Sequence, residues 1–256
     1  MSRAQEPRRF AALNPERKSG SQAPKLDGIV FDVDGTLSNQ HPLTTGEPQN
    51  YMFAEMRSAL GIQKPTDILD HIYSLPQNEQ EPAMQKIRDI ESTAMIKQTP
   101  QPGLVQLMDY LQKRGIRKGI CTRNFDTPVN HLIEKFMKGH DFAPIITRDF
   151  RPPKPSPAGI LHIASSWSLP SANNLIMVGD SIDDMTAGYR AGAATVLLVN
   201  EVNADLAEHE HTDLCIKKLD ELIEILEAGF EGQVGREAEG EGMKTGEMAR
   251  GVLGKG

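Results

Sequence analysis

The sequence predicts an α/β fold: a parallel sheet covered on both faces by helices, interrupted by one all-helical insertion. Three observations predict it. Short apolar runs without polar interruption, at 29–31, 175–178 and 195–199, have the character of strands buried on both faces. From residue 102 onward such runs alternate with helical spacing, the order that builds a parallel sheet. Between residues 38 and 102, helical spacing continues with no strand signal.

Composition narrows the function classes. The chain has 256 residues, 38% hydrophobic and 25% charged, an ordinary soluble mixture. A formal net charge of −7 and the lack of a basic stripe argue against nucleic-acid binding. No apolar run approaches the roughly 20 residues that span a bilayer, so no membrane partner is expected. Both cysteines, Cys121 and Cys215, fall in apolar strand-like runs, which fits a reducing compartment and a cytoplasmic location.

Residues 1–24 mix Arg, Glu, Pro, Ser and Gln with little periodicity and are expected to form a disordered arm. Arg3, Arg8, Arg9, Arg17 and Lys18 raise the idea of a mitochondrial leader. Glu6, Glu16, Pro7 and Pro15 argue against it, because such leaders are poor in acids and helical. The core then runs over 25–37 and 103–229. Its first strand is Ile29-Val30-Phe31, which enters Asp32-Val33-Asp34-Gly35-Thr36. Alternation along a regular strand would point Asp32 and Asp34 the same way.

A polar loop, 38–47, opens the insertion over 38–102. Met52, Met56 and Leu60 share a helical face, Pro65 starts a second helix through Leu75, and a third runs from Glu81 to Ile96. Its stripe of Met84, Ile87, Ile90 and Met95 reads as the inner seam of a small bundle, in preference to a flexible binding face. After Pro102 come a helix ending at Gly115, a strand at 118–122 and a helix over 128–137. A short strand at 144–147 and a helix over 157–167 follow. The strand at 175–178, a helix over 184–192 and strands at 195–199 and 214–216 lead to a last helix over 219–226. Residues 230–256, rich in Gly, Glu and Lys, are expected to be a disordered tail.

Polar clusters stand at the carboxyl ends of the predicted strands, where parallel sheets carry their sites. They are Asp32 and Asp34; Thr122, Arg123 and Asn124; and Asp180, Asp183 and Asp184. Lys154 sits in a loop with four prolines, 151–157. Two carboxylates crowded at one strand end need a cation between them, or one must keep a proton. Asp184 lies one helical turn beyond Asp180 on the same face, whereas Asp183 points elsewhere and is expected to face solvent. His209 and His211, between Glu208 and Glu210, lack further ligand spacing and read as a solvated turn. Cys121 reads as a core residue.

These residues resemble, in order, the four signatures of the haloacid dehalogenase superfamily. Asp32-Val33-Asp34-Gly35-Thr36 is similar to the first, Thr122 to the second and Lys154-Pro155-Ser156-Pro157 to the third. Val178-Gly179-Asp180-Ser181-Ile182-Asp183-Asp184 is similar to the fourth. The resemblance spans residues 29–193 and implies a Rossmann-like core with a small helical cap. It further implies a magnesium-dependent phosphatase acting on a small phosphorylated metabolite, a phosphate monoester, through an aspartyl-phosphate intermediate.

In that reading Asp32 is the nucleophile and Asp34 the acid/base. Asp32, Asp34 (through its carbonyl), Asp180 and Asp184 serve Mg2+. Thr122, Arg123, Asn124 and Lys154 bind phosphate. Asp34 favours phosphate transfer over dehalogenation, because a leaving alkoxide needs a proton and a halide does not. Arg123 departs from the Asn frequent at this place; it reads equally as a guanidinium for phosphate or a second anionic group and as a surface residue. Two alternatives remain on the same core: a sugar phosphomutase, with His41 as a cap-side acid/base, and a catalytically idle binding module. The complete set of Asp32, Asp34, Thr122, Lys154 and Asp180 speaks against the second.

Overall fold

A computed structural model describes residues 10–17, 23–39 and 51–232. Strand β1 (Gly28–Phe31) is buried throughout and leads into the first aspartates. A short strand β2 (Ser38–Asn39) follows, then helices α1 (Tyr51–Leu60), α2 (Ile68–Ser74) and α3 (Gln77–Lys97). Strand β3 (Thr99–Pro100) pairs antiparallel with β2, so the three helices leave and rejoin the core at one two-stranded neck. Neither short strand carries an apolar run, so the neck has no sequence signal.

The rest of the chain alternates as expected: α4 (Leu104–Lys113), β4 (Arg117–Cys121), α5 (Asp126–Phe136), β5 (Ile145–Ile146) and α6 (Ala158–Ser166). Then come β6 (Leu175–Gly179), α7 (Ile182–Ala191), β7 (Ala194–Leu198), β8 (Leu214–Ile216) and α8 (Glu221–Ala228). The six core strands form one parallel sheet in the order β5-β4-β1-β6-β7-β8. With β1 in the middle, the loops after β4 and β6 stand on either side of the end of β1.

Alternation along β1 divides the core in two. Ile29 and Phe31 join residues of α4, α5 and α8 on one face. Val30 turns to the other face with Cys121, Met177 and residues of α6 and α7. Trp167, just after α6, packs on this second face. A Cβ on Gly28 would come 2.5 Å from its ring and one on Gly119 would come 3.3 Å from it, so the missing side chains make room for the indole. Its Nε1–H donates to the Ala143 carbonyl at 2.6 Å, and the Arg117 guanidinium lies 5.1 Å from its ring.

The insertion has its own apolar cluster. Met52, Met56, Ile72 and Ile87 are each at most 1% exposed. Of the stripe expected on α3, Ile87 is buried, Met84 and Ile90 pack partly buried against the cluster and Met95 is outside it, the inner positions being shared with Ala83 and Ala94. Helix α3 begins at Gln77, four residues before the expected start, with Pro82 inside it. Phe125 of the core packs against this cluster.

Two expectations are corrected. Residues 10–17 are not a disordered arm: Phe10 and Ala12 are buried, and the Phe10 and Leu13 amides donate to the carbonyls of Phe230 and Leu226 at 2.9 and 2.8 Å. Phe230, placed in the disordered tail, is buried with its ring 5.4 Å from that of Phe10. Composition hides this contact because one aromatic at each end of a polar stretch creates no periodicity. The expectations for 1–9, 18–22, 40–50 (with His41) and 233–256 lie outside the described residues. No described helix is long and apolar enough to cross a membrane.

Candidate active site

The site is built where β1 stops. The strand ends at Phe31, and the chain bends at Val33. Regular alternation therefore does not set the relation of Asp32 to Asp34, as had been expected. Asp32 stays in line with the sheet, its amide donating to the Val178 carbonyl at 3.0 Å, while Asp34 forms a bridge with Ser38. Gly35 turns with φ +78°, a conformation that L side chains rarely adopt. A Cβ there would fall 2.0 Å from Asp180 Oδ2, so this position must be bare for the Asp180 carboxylate to approach. Gln101, just past the neck, donates from Nε2 to the Gly35 carbonyl at 2.6 Å and fastens the turn.

Lys154 joins the clusters. Its Nζ donates to Asp32 Oδ1 at 2.5 Å and also to Asp184 Oδ1, with all three side chains at most 10% exposed. Asp184 is held from its other oxygen. Ser181 N and Oγ donate to Asp184 Oδ2 at 3.1 and 2.6 Å, and Ser181 Oγ accepts from the Asp184 amide, a capping box at the start of α7. The loop bearing Asp180 is fixed by Asn203, whose Nδ2 donates to the Asp180 and Leu198 carbonyls at 2.7 and 3.0 Å.

Among the described residues, Asp32, Asp180 and Asp184 form the one group whose ligand atoms could share a metal ion, one oxygen from each lying within 4.8 Å of the others. All three donors are hard carboxylate oxygens, the chemistry that Mg2+ takes. Against three potential negative charges Lys154 supplies one positive charge, so the set has the charge to accept a divalent cation. The electrostatics agree. Burial first, then the Asp184 charge, pushes Asp32 up to about 7 against the opposing pull of Lys154. Burial and the charges of Asp184, Asp32 and Asp34 hold Asp180 well above the usual carboxylate range. Burial alone would lower Lys154, but Asp184 and Asp32 together raise it and keep it an ammonium. The donor set therefore fits a divalent ion.

The remaining expected residues take different places. Thr122 directly follows β4, is buried, and accepts on Oγ1 from the Asn124 amide at 3.2 Å. Asn124 is buried beside it. Arg123 is at the rim, and its guanidinium is already engaged. Nη1 donates to Asp183 Oδ2 at 2.7 Å, and Nη2 to both oxygens of Asp67 at 2.8 and 2.6 Å. Asp183 keeps the partial exposure expected of it, with 31% of its side chain open, but it is also paired with Arg123, because the first turn of α7 faces the loop after β4. Cys121 is buried, and burial pushes its thiol up to about 11, which suits a core residue.

His211 is partly buried, its ring stacked 4.3 Å from that of Tyr189 and its Nδ1 2.9 Å from Thr186 Oγ1. Nδ1 of His209 accepts from the His211 amide. The pair is therefore built into local structure, more tightly than a solvated turn.

Sequence reasoning missed the residues that tie the insertion to this site. Asp67 caps α2, accepting on Oδ1 from the Leu69 and Asp70 amides, and also holds Arg123. Glu91 of α3 forms a buried ion pair with Arg148, whose Nε donates to the Arg123 carbonyl. The Arg151 guanidinium lies 3.4 Å from the centre of the Tyr73 ring. Only Asp67 carried a local signal, an acid just before a helical run; the others pair across long separations. A cavity of about 300 Å³ between α3 and α5 is lined by Arg88, Glu91, Phe125 and Asp149 among others, and none of Asp32, Asp34, Asp180 and Asp184 lines it.

A family model described as haloacid dehalogenase-like hydrolase matches residues 26–192. An uncharacterized hydrolase of Saccharomyces cerevisiae is 44% identical over 208 residues, covering 79% of this chain and 91% of that protein. A phosphoglycolate phosphatase of Pseudomonas fluorescens is 27% identical over 221 residues, 79% of each chain. Among solved structures, a HAD hydrolase of family IA, variant 3, from Entamoeba histolytica has a similar fold, with TM-score 0.62 and 21% identity over 79% of this chain and 98% of that one.

Proposed function

Because this chain belongs to the haloacid dehalogenase-like hydrolases, we propose that it is a magnesium-dependent phosphatase for a small phosphate monoester. The observation that carries the reading is the Asp32–Lys154–Asp184 contact with Asp180 beside it. It supplies a carboxylate fixed for attack, a buried cation, and a carboxylate set fit for a divalent ion. Phosphatase activity in the Pseudomonas relative supports the same reading.

Asp32, Asp180 and Asp184 would hold Mg2+, with the Asp34 carbonyl. Bound there, it screens the repulsion between an anionic ester and a carboxylate nucleophile. Asp32 attacks phosphorus in line; the bond from phosphorus to the ester oxygen breaks, and the phosphoryl group rests on Asp32. Asp34 gives its proton to the leaving alkoxide, then takes one from the water that attacks the aspartyl-phosphate and frees Asp32. Lys154, Thr122 and Asn124 hold the phosphoryl oxygens as charge gathers on them. The three-helix insertion acts as the cap that limits water at the site.

The test is phosphate release from a panel of small phosphate monoesters, with Mg2+ and with chelator, for wild type and Asp32→Asn. Release that needs the metal and falls by about 10³ or more in the variant is expected, as for loss of a nucleophile. A folded protein that releases phosphate from no ester overturns the reading.

A further inference from the structure

Three arginines of the core contact the insertion, and Arg123 is held differently from the others. Arg148 is sealed against Glu91, with both side chains at most 5% exposed, and Arg151 lies on the Tyr73 ring. Arg123 keeps 26% of its side chain exposed, and its partners Asp67 and Asp183 keep 35% and 31%. These pairs are partly open to water, so an incoming anion can reach the guanidinium, and exchange of one carboxylate for another keeps a charge-assisted pair. Exchange at Glu91 would strand a buried charge.

Position and charge both point inward. Arg123 follows β4, Asp183 opens α7 after β6, and β1 runs between those strands. The Arg123–Asp183 pair therefore reaches across the carboxyl end of β1, where Asp32 sits. Two carboxylates on one guanidinium leave the group at −1, which repels an anionic ester until one of them departs. Asp183 belongs to the core, next to Asp184. Asp67 comes from the insertion, and it retains the Leu69 and Asp70 amides as partners if it leaves Arg123.

We propose that Asp67 occupies the place of a carboxylate on the substrate, and that Arg123 binds this second anionic group of a small, carboxylate-bearing phosphate ester. The inference deepens the phosphatase reading and rests on it. Guanidinium suits the exchange because one carboxylate replaces another on the same planar set of donors. Arg123 is then a specificity-determining binding residue.

The test compares hydrolysis of phosphoglycolate with that of ethyl phosphate, which lacks the carboxylate, in wild type, Arg123→Gln, Arg123→Lys and Asp67→Asn. Asparagine preserves the helix cap. The wild type is expected to prefer the carboxylated ester. Arg123→Gln should cut kcat/KM for that ester roughly 10- to 100-fold more than for ethyl phosphate, mainly through KM, as for loss of a hydrogen bond to a charged group. Arg123→Lys should restore part of the preference. Asp67→Asn should lower KM for phosphoglycolate and not for ethyl phosphate.

No wild-type preference, or equal effects of each variant on both esters, overturns the inference. Calorimetric binding of phosphonopropionate and propylphosphonate, which cannot be hydrolysed, separates the two claims. A preference for the carboxylated phosphonate that Arg123→Gln removes supports the anion site even if no ester is cleaved. Equal binding overturns the inference and leaves a working phosphatase untouched.

Discussion

Lys154 donates to Asp32 and Asp184 together, so one ammonium sets the spacing of a strand-end carboxylate and a helix-capping one. Asp180 completes the set and has less support, because burial and three neighbouring carboxylates disfavour its charge. Mg2+ should therefore stabilise the fold by binding only the native site. At 100 times its Kd it adds about 2.7 kcal/mol, read as a rise in thermal midpoint that chelator reverses. Asp180→Asn should abolish most of that rise; an undiminished rise would mean that the ion sits elsewhere. At this scale the sequence was highly legible for Asp32, Lys154, Asp180 and Asp184. Asp32 and Asp180 directly follow β1 and β6, Asp184 lies in the first turn of α7, and Lys154 stands in a proline-stiffened loop. It was poorly legible for Arg123 and Asp183, because the direction of their side chains depends on two loops that meet only in the folded sheet.

The insertion is joined to the core through Asp67, Tyr73, Glu91 and Arg88, the last lying over the Phe125 ring, which also packs on the insertion's apolar cluster. Arg148→Met leaves Glu91 buried without a partner and should cost about 3–5 kcal/mol in denaturant unfolding. Adding Glu91→Leu should recover most of it, as when an apolar pair replaces a buried ion pair. A single mutant that behaves like wild type would show that the pair does not bear on stability.

Glu91 also gives a pH signature. Burial, outweighing the attraction of Arg148, pushes its carboxyl from the usual 4.5 up to about 7. A raised folded value stabilises the protein fully below about 4.5, and the effect is lost as pH climbs through about 7. Wild type should thus lose on the order of 3 kcal/mol relative to Glu91→Gln between those limits, measured as the difference in unfolding free energy at each pH. A flat difference would contradict the assignment. None of this was readable beforehand, because Glu91 sits on a helix whose apolar stripe is all that periodicity detects.

Across the whole molecule, the sheet and its two helical layers follow from apolar runs that need no tertiary context, which is why the parallel architecture was legible from residue 102 onward. What escaped was closure over long separations: the β2–β3 neck, and the clasp of Phe10 on Phe230. Phe10→Ala should destabilise the protein by about 3–5 kcal/mol, the usual cost of deleting a buried aromatic. A change near zero in chemical unfolding would return residues 10–17 to the status of an arm. The bare glycines beneath Trp167 have a spectroscopic consequence. The chain has a single tryptophan, and it is seated on β1 and β4 of the core, on the face opposite α4. Its fluorescence is a built-in reporter of sheet integrity that stays silent when the insertion alone moves. Emission should therefore track global unfolding, and a label on α1 or α3 would be required to watch the helices open.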